Sequence, residues 1–371
     1  MPRRAKGERA ATGGAPYAAR PAGPFTVAGE STPAGQRRRF EIEAARLVIG
    51  GWLSIPVEVV NGARPGPRVW LSGAIHGDEL DGIEIVRRVL SDLDPARMAG
   101  SVIGVPIVNV FALVGKSRYL PDRRDLNRSF PGSEAGSLAA RIARLFMNEV
   151  VAQCHVGLDF HCGSAGRVNL PQVRADLDDE EIRRLALSFE APVVMHAEPP
   201  AGSLRAAART VGARVLVYEG GQAGQFTESA IRRGVAGVGN VFRALGLAEA
   251  GAGEAETPPV GPAASEVRVA RSSLWVRAGR SGILRIETAL GETVREGGRL
   301  GTVADAFGNR PSVVRARADG LVVGLASHPL VNRGDAVAHI ARLDSGADGG
   351  RVTGTGAGGR ARSGQGPTVP Q

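Results

Sequence analysis

Residues 69–79 read VWLSGAIHGDE and decide the fold of the larger part of the chain. Three apolar residues with high strand propensity are followed by glycines that permit a tight turn, and residues 83–90 then place apolar side chains at helical spacing. The pattern predicts a buried strand, a turn and an amphipathic helix, with His76 and Glu79 on the turn. An imidazole and a carboxylate three residues apart suit a metal ion, and a catalytic zinc site of this type needs a second histidine.

The same alternation of short apolar strands and amphipathic helices continues over residues 36–248. It predicts an α/β domain with a mostly parallel central sheet flanked by helices, in which ligands bind at the carboxyl ends of the strands. Residues 249–265 are mostly Gly, Ala, Glu and Pro and are predicted to be a linker. Short β runs in residues 266–343 predict a small all-β domain. Residues 1–35 and 344–371 are poor in apolar residues and are predicted to be disordered tails.

The charge of the chain is unevenly distributed. The 371 residues include 46 Lys and Arg against 37 Asp and Glu, a net charge of +9. The excess lies mainly in the two tails and is not interleaved with aromatic residues, so we expect no nucleic-acid partner. Two cysteines cannot form a disulfide framework for so long a chain, and neither a secretory signal nor a run of about 18 apolar residues occurs. We therefore expect a cytoplasmic protein with no membrane partner.

The missing histidine of the metal site is predicted to be His161. It ends the apolar strand formed by residues 156–161 and is followed by small polar residues. A lone histidine at a strand end is more often a core residue, but three ligand types at strand ends that share one rim favour a metal. A rival zinc site built from Cys154-His155 and His161-Cys162 is disfavoured, because consecutive strand residues point to opposite faces. Asp159, two residues before His161, is a candidate for orienting that ligand from behind.

Two other segments carry candidate chemistry. Residues 116–132 are basic and turn-rich, which is typical of a solvated loop, yet Asn127 and Arg128 together are well suited to gripping a carboxylate. Glu219 ends the apolar strand of residues 215–218. A carboxylate there is costly unless it is paired or used, so Glu219 is the candidate general base, with Glu198 and Glu228 as alternatives.

Taken together, these motifs resemble those of the succinylglutamate desuccinylase/aspartoacylase family, a branch of the zinc carboxypeptidase superfamily. The matching elements occur in the family's order: His76–Glu79, Asp125–Arg128, His161 and Glu219. The resemblance implies one zinc ion per chain, held by His76, Glu79 and His161, with Glu219 activating the metal-bound water. It also implies that Asn127 and Arg128 bind the substrate carboxylate and that Arg118 polarises the scissile carbonyl, with Arg123 or Arg124 as alternatives.

The C-terminal domain resembles the barrel-sandwich fold of biotinyl and lipoyl domains, on the patterns of residues 290–294 and 332–336. A carrier domain of that kind needs a lysine at its exposed hairpin. The matching residues 303–308 contain none, and neither does the rest of the domain. Cofactor carriage is therefore excluded, and a structural or oligomer-forming role is left.

The leading hypothesis is a zinc-dependent amidohydrolase that removes an N-acyl group from a small amino acid or a related carboxylate-bearing compound. A metallocarboxypeptidase acting on short peptides would use the same residues, and pocket size would separate the two. A non-catalytic binding protein of the same fold is the third hypothesis, which retention of the full set of catalytic residue types disfavours. The expected partner is a small N-acyl amino acid, and a homo-oligomer through the β-rich domain is compatible with the sequence.

Overall fold

The computed structural model describes residues 23–164, 166–247 and 267–344. Up to residue 247, the larger domain contains ten strands, six α-helices and two short 3₁₀ helices, Leu126–Arg128 and Val151–Gln153. The strands are β1 (Phe25–Val27), β2 (Glu30–Thr32), β3 (Gln36–Arg46), β4 (Trp52–Asn61), β5 (Arg64–Ser72), β6 (Ala99–Val105), β7 (Val156–Gly163), β8 (Arg167–Ala175), β9 (Val193–His196) and β10 (Arg214–Gln222). The helices are α1 (Asp81–Asp92), α2 (Val110–Val114), α3 (Leu138–Glu149), α4 (Glu180–Ser188), α5 (Leu204–Thr210) and α6 (Glu228–Leu245).

The central sheet of this domain is mixed, so the expectation of a mostly parallel sheet is corrected. Strands β6, β5, β7 and β10 pair in parallel in that order, and β8 also pairs in parallel with β9. The pairs β3–β4, β4–β6 and β10–β8 are antiparallel. Strand β8 reverses direction because only residues 164–166 join it to β7, which is too short for a crossover connection to a parallel strand.

Apolar cores lie on both faces of the sheet, because alternate residues of a strand point to opposite sides. Leu71 packs into the core formed with α1, α4 and α6. The preceding Trp70 packs into the core formed with α3 and α5. Burial of one face of α1, including Ile85 and Val89, agrees with the helical spacing in the sequence. The polar turn between β5 and α1 is thereby fixed at the carboxyl edge of the sheet.

The prediction of disorder for residues 1–35 is wrong for its last part. Residues 23–35 are ordered and include the antiparallel pair β1–β2. Phe25 and Val27 are fully buried against the larger domain, whereas Thr26 between them is exposed. Phe25 and Val27 anchor residues 23–35 to the larger domain, although the average composition of residues 1–35 is typical of a disordered segment. Residues 1–22, the whole of the predicted linker (residues 249–265) and residues 345–371 lie outside the described residues.

The C-terminal domain is all-β, as the sequence indicates. Its strands are β11 (Arg268–Arg277), β12 (Gly282–Ile286), β13 (Thr293–Val294), β14 (Arg299–Ala304), β15 (Ser312–Arg315), β16 (Gly320–Ala326), β17 (Leu330–Val331) and β18 (Ala336–Leu343). Strands β15, β14, β12 and β17 form one sheet, and β13, β16, β18 and β11 continue the sheet of the larger domain.

The two domains share a closed ring of strands. Strand β11 pairs with β9, and β16 pairs with β8, so that β8, β9, β11, β18 and β16 close on one another. The ring joins two strands of the larger domain to three of the C-terminal domain. The C-terminal domain is therefore built into the edge of the sheet that carries the candidate site. None of the helices in the described ranges is long and apolar enough to cross a membrane.

Candidate metal centre and catalytic cavity

The turn between β5 and α1 brings His76 and Glu79 together. The Nδ1 atom of His76 lies 2.8 Å from Oε1 of Glu79, and the backbone N–H of Glu79 donates to the carbonyl of His76 at 3.1 Å. Gly77 allows this turn to pack closely, since a Cβ at that position would lie 2.0 Å from the backbone carbon of Ala112. The tight turn therefore needs glycine for space and places both side chains on one side.

His161, at the end of β7, completes the group. Its Nδ1 atom lies 2.8 Å from Oε2 of Glu79, so that the carboxylate stands between two imidazoles. The two histidine rings lie 5.0 Å apart, centroid to centroid. One donor atom from each of His76, Glu79 and His161 lies within 4.8 Å of the other two, and all three residues are buried. The structure thus brings the three predicted ligands to one point.

A second layer of carboxylates holds both imidazoles. Oδ2 of Asp159 lies 2.8 Å from Nε2 of His161, and Oδ1 of Asp125 lies 3.2 Å from Nε2 of His76. Asp159 is itself fixed by Ser72, whose hydroxyl donates to Oδ1 at 2.8 Å. With the far nitrogen of each ring held by a carboxylate, the Nδ1 atoms point to the centre. This arrangement is typical of metal-binding histidines.

The electrostatics of the centre favour a cation. Burial alone would raise the pKa of Glu79, but the adjacent imidazoles outweigh it and the net pKa lies well below the usual range. Burial alone would lower the pKa of His161, but Asp159 and Glu79 raise it well above its ordinary value. Three carboxylates surround two imidazoles, and Arg118 is the one guanidinium hydrogen-bonded to them among the described residues. The donor set of two imidazoles and one carboxylate, open to a cavity, fits zinc in a catalytic site.

Another group with metal-ligand residue types lies at the protein surface. It consists of Asp176, Asp178 and His196. Asp178 is exposed and pairs with Arg271 at 2.5 Å, and Asp176 lies 3.4 Å from Arg209. Because arginines already neutralise both carboxylates, this surface group lacks the surplus of negative charge found at the buried centre.

The buried centre borders a cavity of about 300 Å³. Its walls include Arg118, Asn127 and Arg128 from the loop of residues 116–132. Arg118 donates from Nη1 to Glu79 at 3.1 Å and from Nη2 to Asp125 at 2.9 Å. Arg123 and Arg124 are exposed and do not line the cavity, so the geometry favours Arg118 over both alternatives.

Asn127 and Arg128 occupy different depths. The side-chain oxygen of Asn127 accepts a hydrogen bond from the backbone N–H of Leu204 at 2.8 Å. Among the described residues, the amide nitrogen of Asn127 has no hydrogen-bond acceptor and can donate into the cavity. Arg128 is exposed at the rim, where it donates to the backbone carbonyl of Asn127 at 2.7 Å. The loop is thus fixed to the start of α5, and both residues face the cavity.

Glu219 lies beside the candidate metal centre because β10 and β7 run in parallel with Glu219 next to His161 in register. Its Oε2 atom accepts a hydrogen bond from Asn169 at 2.8 Å, and its Oε1 atom lies 3.6 Å from Nη1 of Arg174. The alternative base Glu228 is outside the cavity and pairs with Arg88 at 2.8 Å. Glu198 also does not line the cavity.

The two cysteines lie in different surroundings and do not form a joint metal site. Cys162 lines the cavity, whereas Cys154 is buried in the core with α3 and α5. Burial is the main cause that raises the pKa of the Cys162 thiol far above its usual value. Burial thus favours the neutral thiol over the thiolate.

Sequence reasoning missed several cavity residues. They are Arg167, Asn169, Arg174, Arg205 and Trp275. Burial, followed by the nearby guanidinium of Arg174, lowers the pKa of Arg205 to about 10. Residues 167–174 belong to β8, which contains Pro171, and Trp275 comes from the C-terminal domain. The one available signal was the presence of charged and amide side chains within an otherwise apolar strand, since such groups are rarely buried without a role.

Comparison with known proteins gives the family of this chain. The family model for the succinylglutamate desuccinylase/aspartoacylase catalytic domain matches residues 65–245. The chain is 33% identical over 303 residues to the N-alpha-acetyl-L-2,4-diaminobutyric acid deacetylase of Halomonas elongata, across 79% of this chain and 87% of that protein.

Solved structures agree with this assignment. A succinylglutamate desuccinylase/aspartoacylase from Rhodobacter sphaeroides matches with a TM-score of 0.73 and 28% identity, over 83% of this chain and 96% of that one. The product-bound ectoine utilization protein EutE (DoeB) from Ruegeria pomeroyi matches with a TM-score of 0.72 and 25% identity, over 83% of this chain and 97% of that one. The chain therefore belongs to the succinylglutamate desuccinylase/aspartoacylase family.

Proposed function

We propose that this protein is a zinc-dependent amidohydrolase that removes an N-acyl group from a small amino acid or a related carboxylate-bearing compound. The observation that carries the proposal is the meeting of His76, Glu79 and His161 with Glu219 on one cavity. The relatedness to a deacetylase of an N-acetylated amino acid supports the reaction class. His76, Glu79 and His161 would hold one zinc ion per chain.

Zinc in this position supplies Lewis acidity, which makes water and an amide carbonyl more reactive toward each other. The residues of the chain do the rest. Glu219 accepts a proton from the attacking water and delivers it to the nitrogen of the leaving amine. Water adds to the carbonyl carbon, the C–N bond breaks, and the products are a carboxylic acid and an amine.

Arg118 and the Asn127–Arg128 pair position the substrate. The guanidinium of Arg118, held by Asp125, would donate to the carbonyl oxygen as negative charge develops there. The free amide nitrogen of Asn127 and the rim guanidinium of Arg128 are donors for the substrate carboxylate. Asn127 and Arg128 bind the substrate carboxylate, and Arg118 binds the scissile carbonyl. The spacing between these residues therefore sets the distance that the two groups must have in a substrate.

The cavity has the size of a small-molecule site, and the relatedness to a deacetylase favours deacylation. A volume of about 300 Å³ is at the lower end of the range for small-molecule pockets. It accommodates an N-acyl amino acid, and the related protein of Halomonas elongata is a deacetylase of such a compound. We therefore place deacylation ahead of carboxypeptidase activity.

The direct test is hydrolysis of N-acetyl-diaminobutyrate, N-acetyl-aspartate and succinylglutamate by the zinc-loaded protein. Release of the free amine measures the reaction. Glu219→Gln should lower kcat by about 100- to 10,000-fold, because the general base is lost, while retaining zinc. Glu228→Gln is the matched control, since Glu228 is exposed and outside the cavity. Equal activity of Glu219→Gln and the wild type would reject Glu219 as the base, and hydrolysis of none of the amides would reject the proposed reaction.

A further inference from the structure

Asn169 lies between the strand of the candidate base and a strand of the C-terminal domain. On one edge of β8, Asn169 pairs with Gly221 of β10, two residues beyond Glu219. On the other edge it pairs with Gly324 of β16. Asn169 is therefore one of the points at which the C-terminal domain comes within one strand of β10.

The side chain of Asn169 is the closest polar partner of the Glu219 carboxylate. Asn169 is buried, and its Nδ2 atom donates to Oε2 of Glu219 at 2.8 Å. Within residues 23–164, 166–247 and 267–344, this is the one hydrogen bond that the carboxylate accepts, since Arg174 stands farther away at 3.6 Å. An amide donor fixes one oxygen without adding a charge, which leaves the other oxygen free to accept a proton.

Gly324 provides the space in which Asn169 sits. A Cβ at position 324 would lie 3.0 Å from Oδ1 of Asn169 and 3.2 Å from Cβ of His339. The backbone of Gly324 is not left-handed, so space rather than conformation requires glycine here. His339 in turn stacks on Trp275, with ring centroids 4.3 Å apart and planes 8° apart, and Trp275 lines the cavity. The C-terminal domain thus confines the Asn169 amide from the side opposite Glu219.

We propose that Asn169 is a positioning residue for Glu219 and that the C-terminal β domain holds it in place through Gly324. This inference rests on the proposed role of Glu219 as general base. It assigns the C-terminal domain a task in catalysis that needs no lysine and no carried cofactor. The domain packs against Asn169, and Asn169 in turn orients the carboxylate of Glu219.

The test is a double-mutant cycle on the full-length, zinc-loaded protein. Asn169→Ala should lower kcat by about 10- to 100-fold with KM changed by less than about threefold, because the base is misdirected while substrate contacts remain. Gly324→Ala should produce a loss of the same kind by displacing the Asn169 amide. Gly279→Ala is the matched control, since no atom lies within 4 Å of a Cβ there and its backbone is ordinary. Zinc content should be unchanged in all variants.

The double variant decides whether Gly324 acts through Asn169. If it does, Asn169→Ala combined with Gly324→Ala should be no slower than Asn169→Ala alone, within about twofold, because the amide that the added methyl group would displace is already gone. If the kcat losses of the two single variants multiply in the double variant, Gly324 serves only the general packing. That result would overturn the proposed coupling between Gly324 and Asn169. Wild-type kcat in Asn169→Ala would overturn the positioning role.

A substrate-independent measurement separates this inference from the proposed function. Crystal structures of the wild type and Asn169→Ala should show the Glu219 carboxylate in one orientation in the former and displaced in the latter. An unchanged orientation would overturn the inference even if the enzyme is an amidohydrolase. If no amide is hydrolysed, the proposed function fails, and the two structures still decide whether Asn169 positions Glu219.

Discussion

His161 and His339 are both buried, with 6% and 4% of their surface exposed, yet their surroundings carry opposite charge. His161 lies between the carboxylates of Asp159 and Glu79, which raise its pKa despite burial. His339 lies in the C-terminal domain, where burial and then the guanidiniums of Arg174 and Arg167 lower its pKa to about 3. One histidine is surrounded by groups that attract a cation and the other by groups that repel one.

The difference teaches that burial alone does not identify a metal ligand. A buried histidine stacked on Trp275 between arginines is a neutral packing residue. A buried histidine whose far nitrogen is held by a carboxylate is prepared to donate the other nitrogen to a metal. The charge of the neighbours distinguishes the two.

The comparison separates the acidic surroundings of His161 from the basic surroundings of His339. The largest effect is expected at Arg118, whose guanidinium is bonded to the carboxylates of the candidate metal centre. Arg118→Met should lower kcat by about 100- to 1,000-fold, because a donor to the developing oxyanion is lost. Arg124→Met is the control, since Arg124 is exposed and outside the cavity. Steady-state kinetics of both variants measures the effect, and a larger loss in Arg124→Met would transfer the role to that residue.

A smaller effect is expected from the carboxylates that hold the histidines. Asp159→Asn and Asp125→Asn should each weaken zinc binding by about 10- to 100-fold, because the imidazoles lose the group that orients and polarises them. His339→Phe should bind zinc as the wild type does. Competition with a chelator of known affinity gives these values. Equal zinc affinity in all four proteins would mean that the outer carboxylates do not support the centre.

The smallest effect concerns the pH dependence of stability. Above pH 6.5, the ordinary pKa of histidine, His339 is neutral in both the folded and the unfolded chain. Below it, the unfolded chain gains a proton that folded His339 does not take up until about pH 3, so stability is lost as the pH falls through this window. His339→Phe removes this loss, so that lowering the pH from about 7.5 to about 5 should cost the variant about 2 kcal/mol less than the wild type.

Urea unfolding of both metal-free proteins at the two pH values measures that difference. Because all other titrating groups are shared, the variant minus wild-type difference isolates position 339. The same loss in both proteins would show that His339 is not held neutral in the folded state.

Much of the candidate site follows from local sequence patterns. Residues near the carboxyl ends of parallel strands meet at one edge of a sheet, and His161 and Glu219 lie near those ends of β7 and β10, while His76 and Glu79 follow β5. Their convergence could be predicted because each strand is a short apolar run followed by a polar turn. The motif order then indicated the family, which the comparisons confirm.

Other features depend on contacts that local patterns do not encode. Residues 167–175 do not predict a strand, because Pro171 and two arginines interrupt the apolar run, and the reversed strand makes the sheet mixed. Trp275 reaches the cavity only because β11 pairs with β9 across the domain boundary. Phe25 and Val27 are buried by a partner distant in sequence, which composition alone could not reveal.

The most direct test of the central claim is the metal content of the purified wild type, His161→Ala and His196→Ala. His196 belongs to the surface group with Asp176 and Asp178, so its variant controls for the loss of any histidine from a metal-like cluster. We expect about one zinc ion per chain in the wild type and in His196→Ala, and loss of most of it in His161→Ala. Zinc retained in full by His161→Ala, or absent from the wild type after zinc loading, would contradict the proposed centre.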